Sequence, residues 1–259
     1  MNRRRTTAFA ALLLSMALMA FAGQRWLKAE RIYKAGDAAY RDIGACVKQS
    51  PAADPQPKEP QAFIPPLEID FEALKAINKD AAAWLYCPGT VIDYPVIMAD
   101  DYSYYLTHLP DGTKNANGSL FIDYNCAPDF SGQLTVLYGH HMRSGKMFGS
   151  LKGYKTQHYY DGHPYMYLYT PQGNYRAALL HGCVIDAGVW RERGFMYEQN
   201  LGALLSYAAH SSTFKSSAVY EEGNRVIALS TCSYEFDGAR YVVIGILSSQ
   251  QPPNTCMKK

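Results

Sequence analysis

The stretch Leu229-Ser-Thr-Cys-Ser-Tyr-Glu-Phe-Asp-Gly-Ala-Arg-Tyr-Val-Val-Ile-Gly-Ile-Leu247 predicts the closing strands of the fold and the centre of a site. Both ends of this stretch are β-branched and apolar, and the polar middle contains Asp237-Gly238, which is typical of a β-hairpin. An antiparallel return would place Cys232 beside Arg240 at the rim of a sheet. A thiol next to a fixed positive charge is a candidate nucleophile with its oxyanion stabiliser. The alternative is a buried cysteine and a surface arginine with no catalytic role.

Length and composition favour one sizeable domain with an appendage. The chain has 259 residues, of which 48% are hydrophobic and 13% aromatic, enough to bury a substantial core. The formal net charge of +2 gives no reason to expect nucleic acid as a partner. The 21 tyrosines suit a β-rich fold, because aromatic rings pack well on a pleated surface.

The six cysteines indicate neither a zinc ribbon nor a thioredoxin-type site, because no CxxC pair is present. Their even number would allow three disulfides, but a catalytic Cys232 has to remain free. We expect most of the others to be small buried hydrophobic side chains. They are Cys46, Cys87, Cys126, Cys183 and Cys256.

The amino terminus carries a membrane-topology signal. Arg3-Arg4-Arg5 precedes an uncharged stretch, Thr6 to Gly23, whose 18 residues are near the lower limit for spanning a bilayer. The basic cluster keeps this end in the cytoplasm, so the rest of the chain is placed outside the cell membrane as a single-pass protein. A cleaved signal peptide is the competing interpretation, since residues 20–23 resemble a small-residue cleavage site. We favour the uncleaved anchor, and both interpretations export the domain.

Composition divides the chain into three parts. Residues 1–24 form the predicted anchor, and residues 25–66 form a juxtamembrane helix and a linker with six prolines between Gln49 and Pro66. The helix is predicted over residues 24–48, because its apolar side chains recur on one face. It is expected to pack on the domain or on the membrane surface. Residues 67–259 are then predicted to form the folded domain.

Within this domain the pattern is a short helix followed mostly by strands. Asp70 can cap a helix whose apolar residues Phe71, Leu74 and Ile77 share one face. Strands are predicted at residues 83–87, 91–96, 119–123, 134–138, 165–170 and 175–185, and helices at 147–154 and 197–211. Many strands with few inserted helices favour a closed or nearly closed β-barrel.

A thiol nucleophile needs a proton partner, and His140 has the most suitable context among seven histidines. It follows a predicted strand, 134–138, and Gly139 breaks that strand just before it. His140 would therefore lie exposed at a sheet rim, whereas His141 would point elsewhere because successive side chains alternate. A single histidine is more often structural, so the pattern alone leaves both roles open.

Several motifs in order make the sequence resemble the class B sortases, extracytoplasmic cysteine transpeptidases of Gram-positive bacteria. The resemblance covers residues 67–247. Its motifs are Ile69-Asp-Phe-Glu-Ala-Leu74 with Ile77-Asn78, Trp84, Ile92-Asp-Tyr-Pro-Val96, Tyr104-Tyr-Leu106, Gly118-Ser-Leu-Phe-Ile-Asp-Tyr124, Leu137-Tyr-Gly-His-His-Met142 with Met147-Phe148, and Leu229-Ser-Thr-Cys232 with Arg240. Each motif is weak by itself, but the ordered set is specific.

The resemblance implies a mainly β fold. This is the sortase barrel of about eight strands, with helices before it and one helix inserted before the seventh strand, which matches the helix predicted at 197–211. The enzyme would recognise a sorting signal near the C-terminus of a secreted protein and cleave within it. It would pass the resulting thioester to an amine of a peptidoglycan precursor or to a pilin lysine. No cofactor and no metal are expected.

The resemblance also assigns site residues. The catalytic residues would be Cys232 as the nucleophile, His140 as the proton partner and Arg240 as the oxyanion stabiliser. Five positions would bind the substrate: Leu106, Tyr102, Ser230, Thr231 and Ser233. Two of them depart from the family pattern, because Tyr102 replaces a groove asparagine of some members and Ser233 replaces an acidic residue that sometimes follows the cysteine. The segment 186–195, predicted as a loop with Trp190 and Arg191 to Arg193, is expected to contribute to specificity, and the alternative is an ordinary solvated loop.

Three other functions remain open for the same residues. A thiol hydrolase would use the same groups with water as the acceptor. A membrane-anchored barrel could bind peptides without chemistry. A redox or metal role for the cysteines would involve Cys232 and His140 as zinc ligands.

Overall fold

The computed structural model describes residues 2–50 and 65–250 of the chain. Eight strands form a closed barrel in the order β10-β8-β7-β3-β4-β5-β6-β9, and two further strands form a separate small sheet. The strands in this part of the chain are β1 (Val47–Gln49), β2 (Leu67–Ile69), β3 (Ala81–Tyr86), β4 (Asp93–Met98), β5 (Leu120–Ile122), β6 (Leu134–Tyr138), β7 (Tyr165–Thr170), β8 (Gly173–Asp186), β9 (Arg225–Cys232) and β10 (Ala239–Gln250). The eight-stranded barrel expected from the sequence is therefore confirmed.

Two of the barrel pairings are parallel, and they decide which strand ends meet. β4 pairs with β5 in parallel, and β6 pairs with β9 in parallel, with Tyr138 opposite Ser230. The other barrel pairs are antiparallel, including the closing hairpin of β9 and β10. Because parallel neighbours end on the same side, the residues after β6 and those at the end of β9 emerge together at one rim.

Helices lie before the barrel and between its strands. The α-helices of the described residues are α1 (Asn2–Ile43), α2 (Phe71–Ile77), α3 (Gln157–Gly162), α4 (Ala187–Glu192) and α5 (Leu201–His210). Four 3-10 helices add to these, at Gly44–Cys46, Tyr104–Leu106, Phe148–Lys155 and Glu198–Asn200. The predicted cap of α2 is present, because the Asp70 side chain accepts a hydrogen bond from the Ala73 amide. Helix α5 lies between the sixth and seventh barrel strands, as the resemblance implies.

The carboxyl half of α1 packs on the domain. Tyr40 donates a hydrogen bond to the Gly118 carbonyl at 2.6 Å, and the Asn115 side chain donates to the Ile32 carbonyl at 2.8 Å. Gly36 makes the close approach possible, because a Cβ there would lie only 2.3 Å from the Asn117 side-chain nitrogen. The helix is thereby held against residues 115–119, the segment that leads into β5.

The amino-terminal half of α1 has a different surface. Its large apolar side chains are exposed, among them Leu12, Leu14 and Phe21. An 18-residue window within it reaches a mean hydropathy of 1.7, so the helix is long and apolar enough to cross a membrane by length and composition. A signal sequence passes the same test.

The buried side chains form two clusters. The larger one includes the barrel strands and the helices inserted between them, with Val136, Leu168, Cys183 and Val242 among its members. The second joins the amino-terminal elements to β3 and β4. Its members include Ile43, Leu67, Leu74, Trp84 and Ile97. Burial on this scale, at roughly 25 cal/mol per Å² of apolar surface, is what holds the barrel closed and the small sheet against it.

Two local predictions are wrong, and a third is confirmed except at its start. The juxtamembrane helix ends at Ile43, and residues 47–49 form β1, which pairs with β2 across the linker; residues 51–64 of that linker lie outside the described residues. The segment 186–195 is not a loop, because Asp186 accepts hydrogen bonds from the amides of Gly188 and Val189 and starts α4. The helix predicted at 197–211 begins with the 3-10 turn Glu198–Asn200 and becomes α-helical at Leu201.

Candidate active site

The closing hairpin brings Cys232 and Arg240 together, as the sequence predicts. They are directly opposite in the β9–β10 register, and the Arg240 Nη1 donates a hydrogen bond to the Cys232 sulfur at 2.6 Å. A guanidinium beside a sulfur stabilises negative charge on it. Both side chains are partly exposed, so the pair is accessible from the barrel rim.

The parallel pairing of β6 and β9 brings His140 to the same rim. Tyr138 is opposite Ser230, so His140 and Cys232 each lie two residues beyond a paired position. The Thr231 hydroxyl donates to the Gly139 carbonyl at 2.8 Å and continues this pairing past the strand ends. His140 and Cys232 line one cavity, but no hydrogen bond joins their side chains in the described part of the chain.

The Leu106 carbonyl fixes the His140 ring. It is hydrogen-bonded to the His140 Nε2, and because a carbonyl only accepts, the hydrogen is on Nε2. This leaves Nδ1 as the nitrogen that can gain or lose a proton. Gly118 allows the arrangement: it has a φ of 61°, and a Cβ there would lie 2.8 Å from the Leu106 carbonyl oxygen and 2.9 Å from the His140 ring.

His141 contacts the backbone of Cys232 and not its sulfur. Its Nδ1 is hydrogen-bonded to the Cys232 carbonyl at 2.7 Å, and the Tyr234 ring packs edge-on against it at 5.0 Å. His141 does not line the cavity that holds the cysteine sulfur. The two adjacent histidines therefore relate to Cys232 differently. His140 shares a cavity with Cys232, whereas His141 is hydrogen-bonded to its backbone.

The cavity at the rim has a volume of about 350 Å³. Besides the three catalytic candidates, its lining includes four of the five residues expected to bind substrate: Tyr102, Leu106, Ser230 and Thr231. Trp190 and Arg191 of α4, from the segment expected to contribute to specificity, also line it. Phe121, Tyr138 and Met196 are lining residues that the sequence reading did not single out.

A buried carboxylate organises one wall of this cavity. Asp123 is fully buried and accepts hydrogen bonds from the hydroxyls of Tyr102, at 3.1 Å, and Tyr138, at 2.9 Å. The Asn125 side chain donates a third bond at 2.8 Å. Burial, followed by the charge of Asp123, raises the pKa of both tyrosines, so their hydroxyls stay protonated and act as donors. Asp123 is the penultimate residue of the motif Gly118–Tyr124, and a carboxylate directly after the apolar strand β5 is the signal that could have identified it.

Ser233 is the fifth expected substrate residue, and it does not line the cavity. It is buried and accepts a hydrogen bond from the Lys155 ammonium at 2.9 Å, while its own hydroxyl donates to Glu235. Lys155 also forms an ion pair with Glu235 and lies 5.0 Å from the centre of the Tyr241 ring. Burial opposes ionisation of Glu235, but the hydrogen bonds from Lys155 and Ser233 outweigh it and lower its pKa to about 2. We call Lys155, Ser233 and Glu235 the hairpin clamp, since they tie the turn after Cys232 to the 3-10 helix Phe148–Lys155.

The other described cysteines differ from Cys232 in burial. Cys46, Cys87, Cys126 and Cys183 are buried and unpaired, whereas Cys232 is partly exposed. Burial raises the pKa of Cys126 to about 11 and that of Cys183 to about 12, so both remain protonated and unreactive at neutral pH. In the described residues no group of three or more His, Cys, Asp or Glu side chains is placed to hold a metal ion.

Comparison with known proteins identifies the family. No protein-family model matches the sequence. Sortase B of Listeria monocytogenes is 30% identical over 182 residues, which cover 69% of this chain and 74% of the relative. Sortase B of Staphylococcus aureus is 27% identical over 177 residues, covering 67% and 72% of the two chains.

Solved structures agree with this result. The crystal structure of Clostridium perfringens sortase B superposes with a TM-score of 0.63 at 27% identity, covering 69% of this chain and 99% of that one. A Bacillus anthracis protein described as similar to sortase B gives a TM-score of 0.66 at 26% identity, with 83% and 94% covered. With the curated relatives and the barrel described above, these likenesses show that the chain belongs to the class B sortases, a family of transpeptidases.

Proposed function

We propose that this chain cleaves a C-terminal sorting signal of secreted proteins through a thioester on Cys232 and transfers the acyl group to an amine. The acceptor would be a peptidoglycan precursor amine or a pilin lysine. The observation that carries the proposal is the hydrogen bond from Arg240 to the Cys232 sulfur, inside a cavity that His140 also lines. Nucleophile, charge stabiliser and proton carrier are then within reach of one bound peptide bond.

The first half of the reaction forms the thioester. In the reactive state Cys232 is a thiolate and His140 an imidazolium. The sulfur attacks the carbonyl carbon of the scissile amide, a C–S bond forms, and the carbonyl electrons move to its oxygen. Arg240 donates hydrogen bonds to this oxyanion. Collapse breaks the C–N bond, and the leaving amine takes a proton from His140.

The second half transfers the acyl group. An acceptor amine attacks the thioester carbon while neutral His140 takes its proton, and the C–S bond breaks to release Cys232 as a thiolate. Once the sulfur carries the acyl group, it has no negative charge. Arg240 can then donate its hydrogen bonds to the carbonyl oxygen in both halves of the reaction. The tautomer set by the Leu106 carbonyl makes His140 Nδ1 the site of both proton transfers.

The proposed location follows from α1. The apolar half of the helix would cross the cell membrane once, with the basic amino-terminal residues in the cytoplasm and the barrel outside. The exposed apolar side chains of that half support this placement, and the peptidoglycan precursor would be met at the outer face.

The test uses the full-length protein in detergent micelles. A library of fluorogenic peptides with a randomised five-residue core is incubated with and without triglycine, and products are identified by mass spectrometry. We expect cleavage and a product that carries triglycine on its new C-terminus. Hydrolysis products alone, at every triglycine concentration, would make the chain a thiol hydrolase and reject transfer.

A matched variant separates an enzyme from a peptide-binding barrel. Cys232→Ala should abolish cleavage and still bind the best peptide from the library, because the other cavity residues remain. If Cys232→Ala still cleaves the peptide, the enzymatic role of Cys232 is rejected.

A further inference from the structure

We propose that a second cavity beside His140 binds the acceptor, and that Arg143 selects acceptors that carry a carboxylate together with the attacking amine. This inference rests on the proposed transfer reaction. The second cavity has a volume of about 520 Å³. His140 is the one residue that lines both cavities.

The division of residues between the cavities separates the two substrates. Three residues line only the first cavity: Cys232, Arg240 and Leu106. The sorting peptide therefore has to occupy the first cavity for Cys232 to attack its carbonyl. After the thioester has formed, the acyl chain still fills the first cavity. The acceptor therefore needs a separate approach to His140, because this imidazole must take its proton. A cavity that shares only His140 with the first one meets this requirement.

The second cavity lies close to the backbone of the nucleophile as well. His141 and Tyr234 line it, and His141 is hydrogen-bonded to the Cys232 carbonyl at 2.7 Å. Tyr234 is 68% exposed and follows Cys232 by two residues. Helix α1 supplies another side through Tyr33 and Asp37, so the packing of α1 on the domain helps to form this cavity.

Charge identifies the chemical class of the acceptor. Lys146 lines the cavity but is neutralised by Asp37, at 2.6 Å. Arg143 is exposed and has no ion-pair or hydrogen-bond partner within the residues that the structure describes. One uncompensated guanidinium thus remains, and a guanidinium matches the fork of a carboxylate. An amine alone would gain nothing from it, whereas a short peptide with both groups could place its carboxylate there and its amine at His140.

The test compares triglycine with triglycine amide, which differ in the carboxylate alone. The full-length protein in detergent is given the best library peptide as donor, and the KM for each acceptor is measured. We expect triglycine amide to have a KM about tenfold higher, which corresponds to about 1.4 kcal/mol. Arg143→Ala should raise the KM for triglycine to the value for the amide, leave the KM for the amide unchanged, and leave donor hydrolysis without acceptor unchanged. Arg31→Ala, an exposed arginine of α1 that lines neither cavity, is the matched control and should change none of these values.

Equal KM values for the two acceptors, or an equal rise for both in Arg143→Ala, would overturn the proposal. A binding experiment with triglycine tests this inference separately from the proposed reaction. Triglycine is titrated into the Cys232→Ala variant, with and without Arg143→Ala, and followed by NMR. Binding that is weakened by Arg143→Ala supports the site even if the native protein transfers nothing, in which case only the proposed function fails. Triglycine binding that is equally strong with and without Arg143→Ala would reject the proposed acceptor site.

Discussion

The two halves of the candidate active site are assembled in different ways. Cys232 and Arg240 are neighbours across one hairpin and share a direct hydrogen bond. His140 comes from a distant part of the sequence, and its ring is held by the Leu106 carbonyl and by the space that Gly118 leaves. The comparison shows that strand register alone secures the first half, while the second half depends on several loops. Substitutions around His140 should therefore reduce activity without touching the sulfur.

The largest effect is expected from His140 itself. His140→Ala removes the group that we expect to carry the proton and should lower kcat by about 10³-fold, within the usual range for general acid–base groups. His141→Ala should cost less than about tenfold, since it loses only a hydrogen bond to the Cys232 carbonyl. Peptide cleavage rates of the two variants, measured side by side, check this. The opposite ranking would assign the proton transfer to His141.

The next largest effect tests the hairpin half. Arg240→Lys keeps the positive charge but loses the planar fork, so it should lower kcat/KM by about 10²-fold. Arg31→Lys provides the control, because Arg31 is exposed on α1 and does not line the cavity, and it should change kcat/KM little. Near-native turnover of Arg240→Lys would remove Arg240 from the oxyanion role.

A smaller effect tests the support of His140. Gly118→Ala places a Cβ against the Leu106 carbonyl and the His140 ring at a φ of 61°, where a residue other than glycine costs about 1–2 kcal/mol. We expect a lower Tm and a kcat reduced by about tenfold, as the misplaced imidazole loses much of its acid–base contribution, while binding of the peptide to a Cys232→Ala background changes little. Gly202→Ala in α5, where nothing lies within 4 Å of the new Cβ, is the control. Unchanged kcat in Gly118→Ala would show that the loop does not position the histidine.

The smallest effect concerns the hairpin clamp. Glu235→Gln should lower stability by at most about 1 kcal/mol, because the ion pair is partly exposed and screened by solvent. The folded-state pKa of Glu235 is lowered from 4.5 to about 2, so its ionised form stabilises the fold at pH values above the unfolded pKa. The difference between wild type and variant should be full above about pH 5 and vanish as the pH falls from 4.5 towards 2. Urea unfolding at several pH values measures it, with Glu222→Gln as an exposed control; a difference independent of pH would exclude the clamp as its source.

The sequence predicted the elements that have local signals. Alternating β-branched residues and a turn located the closing hairpin, and a strand followed by glycine located His140. The position of α1 on the domain had no such signal, since contacts such as Tyr40 to the Gly118 carbonyl join segments far apart in the chain. Asp123 has a local signal, since it directly follows the apolar strand β5, but its pairing with Tyr102 joins two different loops and has none. Asp186, by contrast, is a helix cap that the sequence itself offers, and it places a helix where a loop over 186–195 is predicted.

The parallel alignment of β6 with β9 also bears on when the protein acquires its reactivity. The segment between these strands includes β7, β8 and α5. A parallel pair this far apart in the chain forms only after the segment between its strands has folded. A growing polypeptide that ends before residue 240 contains an ordinary thiol without its guanidinium. In the proposed mechanism the charge stabiliser therefore arrives with the final strand, so an unfinished chain lacks one of the three groups that the reaction needs.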